Sequence, residues 1–281
     1  MNRPDRSEVA KYYDETLLFY KYIWYKAGGS NGIHYGFWDK DTQNIEAALL
    51  NQNKFMAELA KIDPSSRVLD AGCGVGGSVV WLAKNIGVKV MGITISRKQL
   101  KEAGKVVLRS GVGDKVEFFL RDYRETGFPD GSFDVVWASE SVCYAEDKKD
   151  FIKEAFRLLK PGGRLVVADG FLSRLPDGLQ QKNYCDLLGG WALPNLAIKD
   201  AFETDVKECG FKNVRFIDKT EAVRNSSERI KKLFSKYALC VRIAEILGIF
   251  RQATKTKLAA SGQYELMRRG IMIYGVFYAE K

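Results

Sequence analysis

The sequence has little histidine and no closely spaced cysteines. His34 is the single histidine among 281 residues, and the five cysteines lie far apart without a Cys-x-x-Cys pair. A structural zinc site needs about four Cys or His ligands, commonly at short spacing. The sequence therefore predicts free thiols and no bound metal.

Long apolar runs are also missing. No stretch reaches the roughly 18 uninterrupted apolar residues of a membrane-spanning helix. The first residues, Met1 to Asp5, are not followed by the apolar core of a signal peptide. These absences predict a cytoplasmic protein.

The net charge of +9 comes from 44 Lys and Arg against 35 Asp and Glu. Taken over the whole chain, the charges are spread out and interleaved with acids, with no compact basic tract carrying interleaved aromatics, so no nucleic-acid partner is predicted. The basic segment 229–257 leaves two interpretations open, a lid helix or a peripheral contact with an anionic membrane. The sequence does not indicate an oligomeric state.

Apolar strands alternate with helical patterns through much of the chain. This alternation predicts an α/β fold, Rossmann-like, with a seven-stranded, mostly parallel sheet, helices on both faces and a helical lid. The predicted strands are 67–70, 88–93, 116–120, 133–138, 164–168, 214–218 and 271–278. The predicted helices include 8–26, 44–61, 96–109, 148–159, 199–209 and 227–247.

Three parts of the chain are predicted from this pattern. Residues 1–62 form a helical cap with more aromatic side chains than one buried helix face needs. Residues 63–170 form the ligand-binding core. Residues 171–281 complete the sheet and carry lid insertions at about 171–198 and 220–268, which are too long to be simple turns.

A glycine-rich loop follows the first predicted strand, in the stretch Val68-Leu69-Asp70-Ala71-Gly72-Cys73-Gly74-Val75-Gly76-Gly77. Glycine allows a sharp turn and a close approach of the backbone to a ligand. Gly72, Gly74 and Gly77 also fit a dinucleotide fingerprint, but that fingerprint expects an acidic residue at the end of the second strand. Gly92-Ile93-Thr94-Ile95-Ser96 has none, which disfavours NAD.

The motif and its surroundings resemble the class I S-adenosylmethionine (SAM)-dependent methyltransferase family. The family's Asp-x-Gly-x-Gly-x-Gly pattern is matched by Asp70, Gly72, Gly74 and Gly76. Three further family segments follow in the same order: Arg121-Asp122-Tyr123, 133–140 and 158–163. The resemblance implies SAM as cofactor and S-adenosylhomocysteine (SAH) as product, with Asp70 holding the methionine ammonium group and Asp122 facing the adenine.

A narrower resemblance takes in both ends of the chain. Residues 92–99 resemble the Gly-Ile-Thr-Leu-Ser-x-x-Gln stretch of tocopherol and sterol C-methyltransferases, where Gln99 would serve the ribose. Segments 12–24, 34–38 and 267–276 are similar to the same branch. The cofactor-binding set that the resemblance implies is Asp70, Gly72, Cys73, Gly74, Gly76, Thr94, Ile95, Gln99, Asp122, Tyr123 and Ser139.

Methyl transfer from a sulfonium is an in-line displacement, so alignment in a desolvated pocket can supply much of the catalysis. Glu140, after the fourth strand, is the first candidate for a base, and orienting the cofactor or the lid is an equal alternative. The branch commonly has a histidine four residues later, where this chain has Tyr144. His34 is a further candidate because imidazole titrates near neutrality, although a packed structural role fits it equally.

Aromatic residues outside the core predict a hydrophobic acceptor. The candidate walls of its pocket are Tyr22, Trp24, Tyr35, Trp38 and Trp191. The favoured reaction is C-methylation of a terpenoid, sterol or prenylated ring. The alternatives are N- or O-methylation of an amine or aromatic natural product and, outside the class, an NAD-dependent oxidoreductase or an inert SAM-binding protein. A cyclopropane synthase is disfavoured.

Overall fold

The computed structural model describes residues 4–21, 30–236 and 253–281, together with residues 239, 242, 243, 246 and 247. Seven strands form one sheet in the order β3-β2-β1-β4-β5-β7-β6. They are β1 Arg67–Ala71, β2 Lys89–Thr94, β3 Val116–Leu120, β4 Phe133–Ser139, β5 Leu159–Leu172, β6 Lys212–Asp218 and β7 Met272–Glu280. Strands β1 to β5 are parallel, and β7 is antiparallel to β5 and β6. The predicted sheet is confirmed.

Helices connect and cover the strands. They are α1 Arg6–Phe19, α2 Ile45–Leu59, α3 Gly77–Asn85, α4 Arg97–Ser110, α5 Lys148–Leu158, α6 Gly178–Trp191, α7 Lys199–Glu208, α8 Thr220–Lys236 and α9 Ala253–Arg268. In the described part of the chain, no helix is long and apolar enough to cross a membrane.

Both faces of the sheet are buried because successive strand residues point to opposite sides. Val68, Val135 and Val166 contribute to one apolar cluster, with the fully buried Trp137. Leu69, Val136 and Leu165, their neighbours in sequence, contribute to the other. The near-continuous apolar strands seen in the sequence follow from this double coverage.

The order of the strands reverses at β1, which pairs with β2 on one side and β4 on the other. In open α/β sheets, ligands bind outside the carboxyl ends of the strands at such a reversal. The topology therefore places the glycine loop after β1 at the point where a ligand is expected.

Strand β5 is longer than predicted. It runs from Leu159 to Leu172 and includes the Pro161-Gly162-Gly163 segment that the sequence indicated as a turn before the strand. A register shift in its pairing with β4 accommodates the extra residues. Its last part pairs with β7, so the strand continues beyond its parallel neighbour.

Two helices from the predicted lid insertions pack very closely. A Cβ on Gly190 of α6 would lie 2.1 Å from the Lys255 carbonyl oxygen of α9, and one on Gly262 of α9 would lie 2.4 Å from the Asn183 carbonyl oxygen of α6. Only glycine permits this separation. The first half of the predicted helix 227–247 lies in α8, and residues 239, 242, 243 and 246 are also helical; residues 237, 238, 240, 241, 244 and 245 lie outside the described residues.

Candidate active site

A cavity of about 530 Å³ lies at the carboxyl ends of the parallel strands. Each of β1 to β5 brings a polar residue to its wall at or just beyond the strand end: Asp70, Thr94, Asp122, Glu140 and Asp169. Residues of α1, α6, α8 and α9 complete the lining. The strand ends therefore supply the polar groups, and the cap and lid helices enclose them.

The glycines of the loop meet different constraints. Gly72 has a φ of +101°, and a Cβ there would lie 2.3 Å from the Ser141 Cβ. Gly74 has a φ of +55°, but the nearest atoms to a Cβ would be the Ile33 and Gln99 side chains at 3.5 and 4.0 Å. The space beside Gly74 is open to the cavity, as a cradle for a ligand requires.

Asp70 is a buried carboxylic acid on the cavity wall. Burial raises the pKa of its carboxyl group to about 7. No hydrogen bond to this carboxyl group is found among the described residues. A buried acceptor of this kind calls for a partner, and the ammonium group of the predicted SAM is suited to supply it.

The end of β2 carries the residues predicted to serve the ribose. Thr94, Ile95 and Gln99 all line the cavity. The Thr94 hydroxyl donates to Gln99 Oε1 over 2.8 Å, which orients the amide. The Gln99 Nε2 lies beside the open space at Gly74. Its ribose contact stays a prediction.

Asp122, predicted to face the adenine, is held by arginines. Its carboxylate accepts hydrogen bonds from the Arg124 side chain, at 2.8 Å for the shortest, and lies 3.5 Å from the Arg6 guanidinium of α1. Burial alone would raise the pKa of Asp122, but the Arg124 hydrogen bonds outweigh burial and lower it. Asp122 is therefore an ionised group with a fixed orientation.

Glu140 lies in the left-handed region of backbone conformation, with φ at +50°, directly after β4. Its Oε1 accepts hydrogen bonds from the Tyr35 amide at 2.6 Å and the Tyr274 hydroxyl at 2.8 Å. Burial raises the pKa of the carboxyl group to about 8 despite these two bonds. Non-glycine residues in this conformation cluster at functional sites, where the fold outweighs the strain.

A second acid, Asp169, lies at the same end of the cavity. It accepts hydrogen bonds from the Cys143 and Gly170 amides at 2.9 and 2.8 Å, and burial raises its pKa to about 6. Sequence reasoning missed this residue. The signal was an aspartate near the end of a buried strand with a glycine close behind it, directly after Asp169 and two residues after Asp70.

His34 lines the cavity but is tied into the protein. Its Nδ1 lies 2.8 Å from the Tyr35 carbonyl oxygen and donates to it. Its Nε2 and the neighbouring Gln52 Oε1 are both buried without a partner, while Gln52 Nε2 lies 2.9 Å from the Ser139 hydroxyl. Rotating the Gln52 amide by half a turn satisfies all of these groups. His34 is then fully bonded, and burial lowers its pKa; a role as base stays a prediction.

Tyrosines surround the acidic end of the cavity. Tyr144 packs edge-to-face on Tyr13 of α1 with ring centroids 5.3 Å apart, and Tyr20 also lines the wall. Tyr35 lines it too and donates its hydroxyl to Gln263 of α9. Burial raises the pKa of the Tyr144 hydroxyl well above its ordinary value, so it stays protonated. Tyr13, Tyr20 and Tyr274 extend the predicted set.

The structure brings most of the predicted residues to one cavity. The predicted residues that line it are Asp70, Gly72, Cys73, Gly74, Thr94, Ile95, Gln99, Asp122, Tyr123, Ser139, Glu140, Tyr144, His34, Tyr35 and Trp191. Two predicted residues lie elsewhere. Gly76, at the start of α3, packs against Phe118 of β3. Trp38 donates its indole N–H to Ser226 of α8. Tyr22 and Trp24 lie outside the described residues.

Comparison with known proteins agrees with this geometry. A family profile described as a methyltransferase domain matches residues 69–167. The chain is 31% identical over 258 residues to 27-O-demethylrifamycin SV methyltransferase of Amycolatopsis mediterranei, covering 89% of this chain and 93% of that protein. It is 32% identical to a probable chloroplastic tocopherol O-methyltransferase of Oryza sativa, covering 69% of this chain and 58% of that protein.

A solved structure shares the fold over nearly the whole length. Geranyl diphosphate C-methyltransferase from Streptomyces coelicolor, in complex with Mg²⁺, geranyl-S-thiolodiphosphate and SAH, superposes with a TM-score of 0.75 at 19% identity. The match covers 98% of this chain and 97% of that one. Since the glycine cradle, the buried Asp70 and the chain-wide relatives all agree, the chain belongs to the SAM-dependent methyltransferases, with SAM as its cofactor and a resemblance to the tocopherol branch.

Proposed function

We propose that this methyltransferase acts on a small, hydrophobic, uncharged acceptor of the terpenoid, sterol or prenylated-ring type, with Glu140 as the base. The observation that carries the proposal is the character of the cavity at the β4 and β5 ends. Two acids and several tyrosines lie there among apolar side chains, and no lysine or arginine side chain of the described residues lines this end. Buried Lys148 lies near Asp169 and partly offsets the effect of burial on its pKa. Its ammonium group, however, donates to the carbonyl oxygens of Cys143, Ala145 and Asn195. The apolar side chains are Leu193, Leu196 and Met272, which pack with Cys143 and Leu172.

The cationic residues of the lining lie at the other end. They are Arg6, Arg121 and Arg124, and the first and last of these bind Asp122 after β3. Glu140 follows β4, which is three places from β3 in the sheet. At about 4.8 Å per strand, the ends of β3 and β4 are roughly 14 Å apart. A group bound beside Glu140 is therefore out of reach of these arginines.

This arrangement disfavours an acceptor with a phosphate or carboxylate near the reacting atom. Burying an anion without a cation costs several kcal/mol, at about the scale of an unpaired buried charge. The described chain also has no group of three or more His, Cys, Asp or Glu side chains placed to hold a metal ion that could bridge to a diphosphate. The geranyl diphosphate C-methyltransferase thus shares the fold of this chain. The two proteins would differ in the acceptor, since this cavity is suited to an acceptor without a diphosphate.

SAM supplies an electrophilic methyl group on a sulfonium. The chain's own groups then act on the acceptor. The Tyr35 amide and the Tyr274 hydroxyl hold Glu140 Oε1, while Oε2 has no hydrogen bond within the described residues. A carboxyl group with a pKa of about 8 is matched to accepting a proton near neutral pH. It would take the proton that leaves the methylated atom.

O-methylation is the second candidate. Three relatives are named O-methyltransferases. A fourth, matched over 93% of its length, is named 27-O-demethylrifamycin SV methyltransferase. A hydroxyl oxygen would give its proton to Glu140 directly, whereas a ring or alkene carbon would give it up after the new bond forms. Either atom is compatible with the same base.

The acceptor is tested by turnover with labelled SAM on pairs of compounds that share a hydrocarbon chain but differ in charge, such as geraniol and geranyl diphosphate. We expect methylation of prenylated hydroquinones or of a terpenoid alcohol such as geraniol, and none of geranyl diphosphate. NMR of the product separates a new C-methyl from an O-methyl group. Preferential methylation of the diphosphate would overturn the proposed acceptor class, and absence of SAM binding by calorimetry would overturn the activity itself.

The base is tested by Glu140→Gln. We expect kcat to fall by about 10²–10⁴-fold, because the carboxylate that accepts the proton is gone. In the wild type, kcat/KM should rise with pH as Glu140 ionises near pH 8, and the variant should lose this rise. SAH affinity should stay within about twofold.

Tyr274→Phe serves as the graded control. It removes one hydrogen bond that favours the ionised form of Glu140 and leaves the carboxyl group in place. The pH profile should then shift to higher pH, with activity recovered at the alkaline end. Wild-type kcat and an unchanged pH profile in Glu140→Gln would exclude Glu140 as the base.

A further inference from the structure

The positive charge of the chain is concentrated in one segment. Residues 229–257 contain eight lysines and arginines against one acid, Glu245, and so account for +7 of the net charge of +9. The other lysines and arginines are interleaved with acids, as expected for the whole chain, and the segment departs from this pattern because it has a single acid. This segment joins α8 to α9.

The same segment exposes apolar side chains. Leu239, Ile243, Ile246 and Leu247 are between 47% and 76% exposed. They are four of the ten large hydrophobic side chains that are exposed in the described chain. Their spacing of four, three and one residues places them on one helix face, and the Leu247 amide donates to the Ile243 carbonyl at 2.9 Å. Exposed Arg242 lies between them.

This surface adjoins the cavity. Near the two ends of the segment, Ile230, Leu233 and Phe234 of α8 and Thr256 of α9 line the cavity. The chain between α8 and α9 therefore begins and ends at the cavity wall. A partner bound to this segment would lie next to the apolar part of the active site.

We propose that the lid segment, defined here by the described residues 229–236, 239, 242, 243, 246, 247 and 253–257, docks on an anionic lipid bilayer. Apolar side chains on one face with flanking Lys and Arg are the pattern of helices that lie in a membrane interface, where long basic side chains reach the head groups. A second copy of the chain is a poorer occupant, because two surfaces of like charge would meet. Under the proposed function, the bilayer is the source of the lipophilic acceptor.

Docking is tested with the full chain and vesicles, without acceptor or turnover. We expect the protein to sediment with vesicles of phosphatidylcholine containing 30% phosphatidylglycerol at about 50 mM salt. Binding should fall by at least about tenfold at 500 mM salt and on pure phosphatidylcholine, because each basic residue near an anionic surface contributes about fivefold.

Two pairs of variants locate the contact. Lys232→Glu/Arg242→Glu should weaken vesicle binding by at least about tenfold, while Lys54→Glu/Lys101→Glu, which changes as much charge on exposed helix positions elsewhere, should weaken it far less. Ile246→Ser/Leu247→Ser should weaken binding by about tenfold or more. Its control, Leu108→Ser/Leu179→Ser, removes two side chains that are at least 81% exposed and should leave binding near the wild-type value.

Each other outcome overturns the proposal. These are no binding to anionic vesicles at low salt, equal binding to neutral vesicles, and equal loss in the lid-segment and control variants. A salt-resistant dimer that the Ile246→Ser/Leu247→Ser change dissociates would identify a second copy as the occupant. SAH affinity, measured by calorimetry on every variant, keeps the outcome separate from the proposed activity: vesicle binding with no hydrophobic acceptor methylated would fail the proposed function alone.

Discussion

At the scale of single residues, the site repeats a few residue types in unlike roles. Asp70 is a buried acid without a hydrogen-bond partner in the described chain, whereas Asp122 is ionised and bound by Arg124. The difference arises from their neighbours, since the two carboxyl groups have the same chemistry. Residue identity in a motif therefore names the group but leaves its charge state to the surroundings.

The two glycines that turn the loop should respond differently to alanine. Gly72→Ala combines a positive φ with a collision against Ser141 and should lower the free energy of unfolding by about 2–5 kcal/mol. Gly74→Ala should cost only about 1–2 kcal/mol of backbone strain, but should weaken SAH binding by about tenfold because its Cβ enters the cradle.

Gly111→Ala is the matched control, with a φ of +72° and no atom within 4 Å of the new Cβ. Thermal melts and SAH calorimetry on the three variants separate strain from ligand contact. Equal SAH affinity in Gly74→Ala and Gly111→Ala would show that Gly74 does not border the cofactor.

At the scale of elements, helix α1 covers the cavity and is held in place by contacts with α4, about 80 residues later in the chain. Asp14 accepts a hydrogen bond from the Ser96 hydroxyl at 2.5 Å, and Ser96 in turn caps the start of α4 through the Gln99 amide. Lys21 pairs with Glu102 of α4 at 2.6 Å. These contacts hold Arg6 over Asp122 and Tyr13 over Tyr144, so that one helix touches both ends of the cavity.

The Asp14–Ser96 hydrogen bond tethers α1 to α4, and removing this tether should loosen α1 and weaken cofactor binding. Asp14→Ala loses a hydrogen bond to a carboxylate, a contact worth about 1.5–3 kcal/mol, so SAH affinity should fall by about ten- to hundredfold. Hydrogen exchange should quicken in α1 and stay unchanged in β1, β4 and β5. Glu15→Ala, at the neighbouring position of the same helix, should change neither; an equal effect there would contradict the tether.

At the scale of the whole molecule, three buried acids face one cavity with raised pKa values: Asp70 at about 7, Asp169 at about 6 and Glu140 at about 8. In the unfolded chain these groups ionise near pH 4. Above that pH the folded state keeps protons that the unfolded state has lost, so stability falls as pH rises until the folded groups have ionised near pH 8.

The melting temperature without ligand should therefore fall between pH 6.5 and 8.5. This window starts at the ordinary pKa of histidine, because the lowered pKa of buried His34 acts in the opposite direction at lower pH. Asp70→Asn should flatten part of the fall. SAH, whose ammonium group offsets the Asp70 charge, should raise the melting temperature more at pH 8.5 than at pH 6.5. A melting temperature that rises across this window would contradict the assignment.

The sequence by itself determined the fold class, the cofactor and most of the residues that line the candidate cavity. These depend on patterns within short stretches: apolar strands, glycines that only a turn explains, and Asp70 placed two residues before the first of them. Such signals are local, because strand burial and backbone conformation act on neighbours in the chain. The order of strands then follows from few allowed topologies.

Only the tertiary structure decided what meets at the acceptor end. Glu140 is bound by Tyr35 and Tyr274, which are 105 and 134 residues away in the chain. Trp38, predicted to face the acceptor, turns instead toward Ser226. Asp169 joins the site because β5 lies beside β4 in the sheet. Contacts over such separations depend on how helices and strands pack against one another, and no spacing within the sequence encodes that.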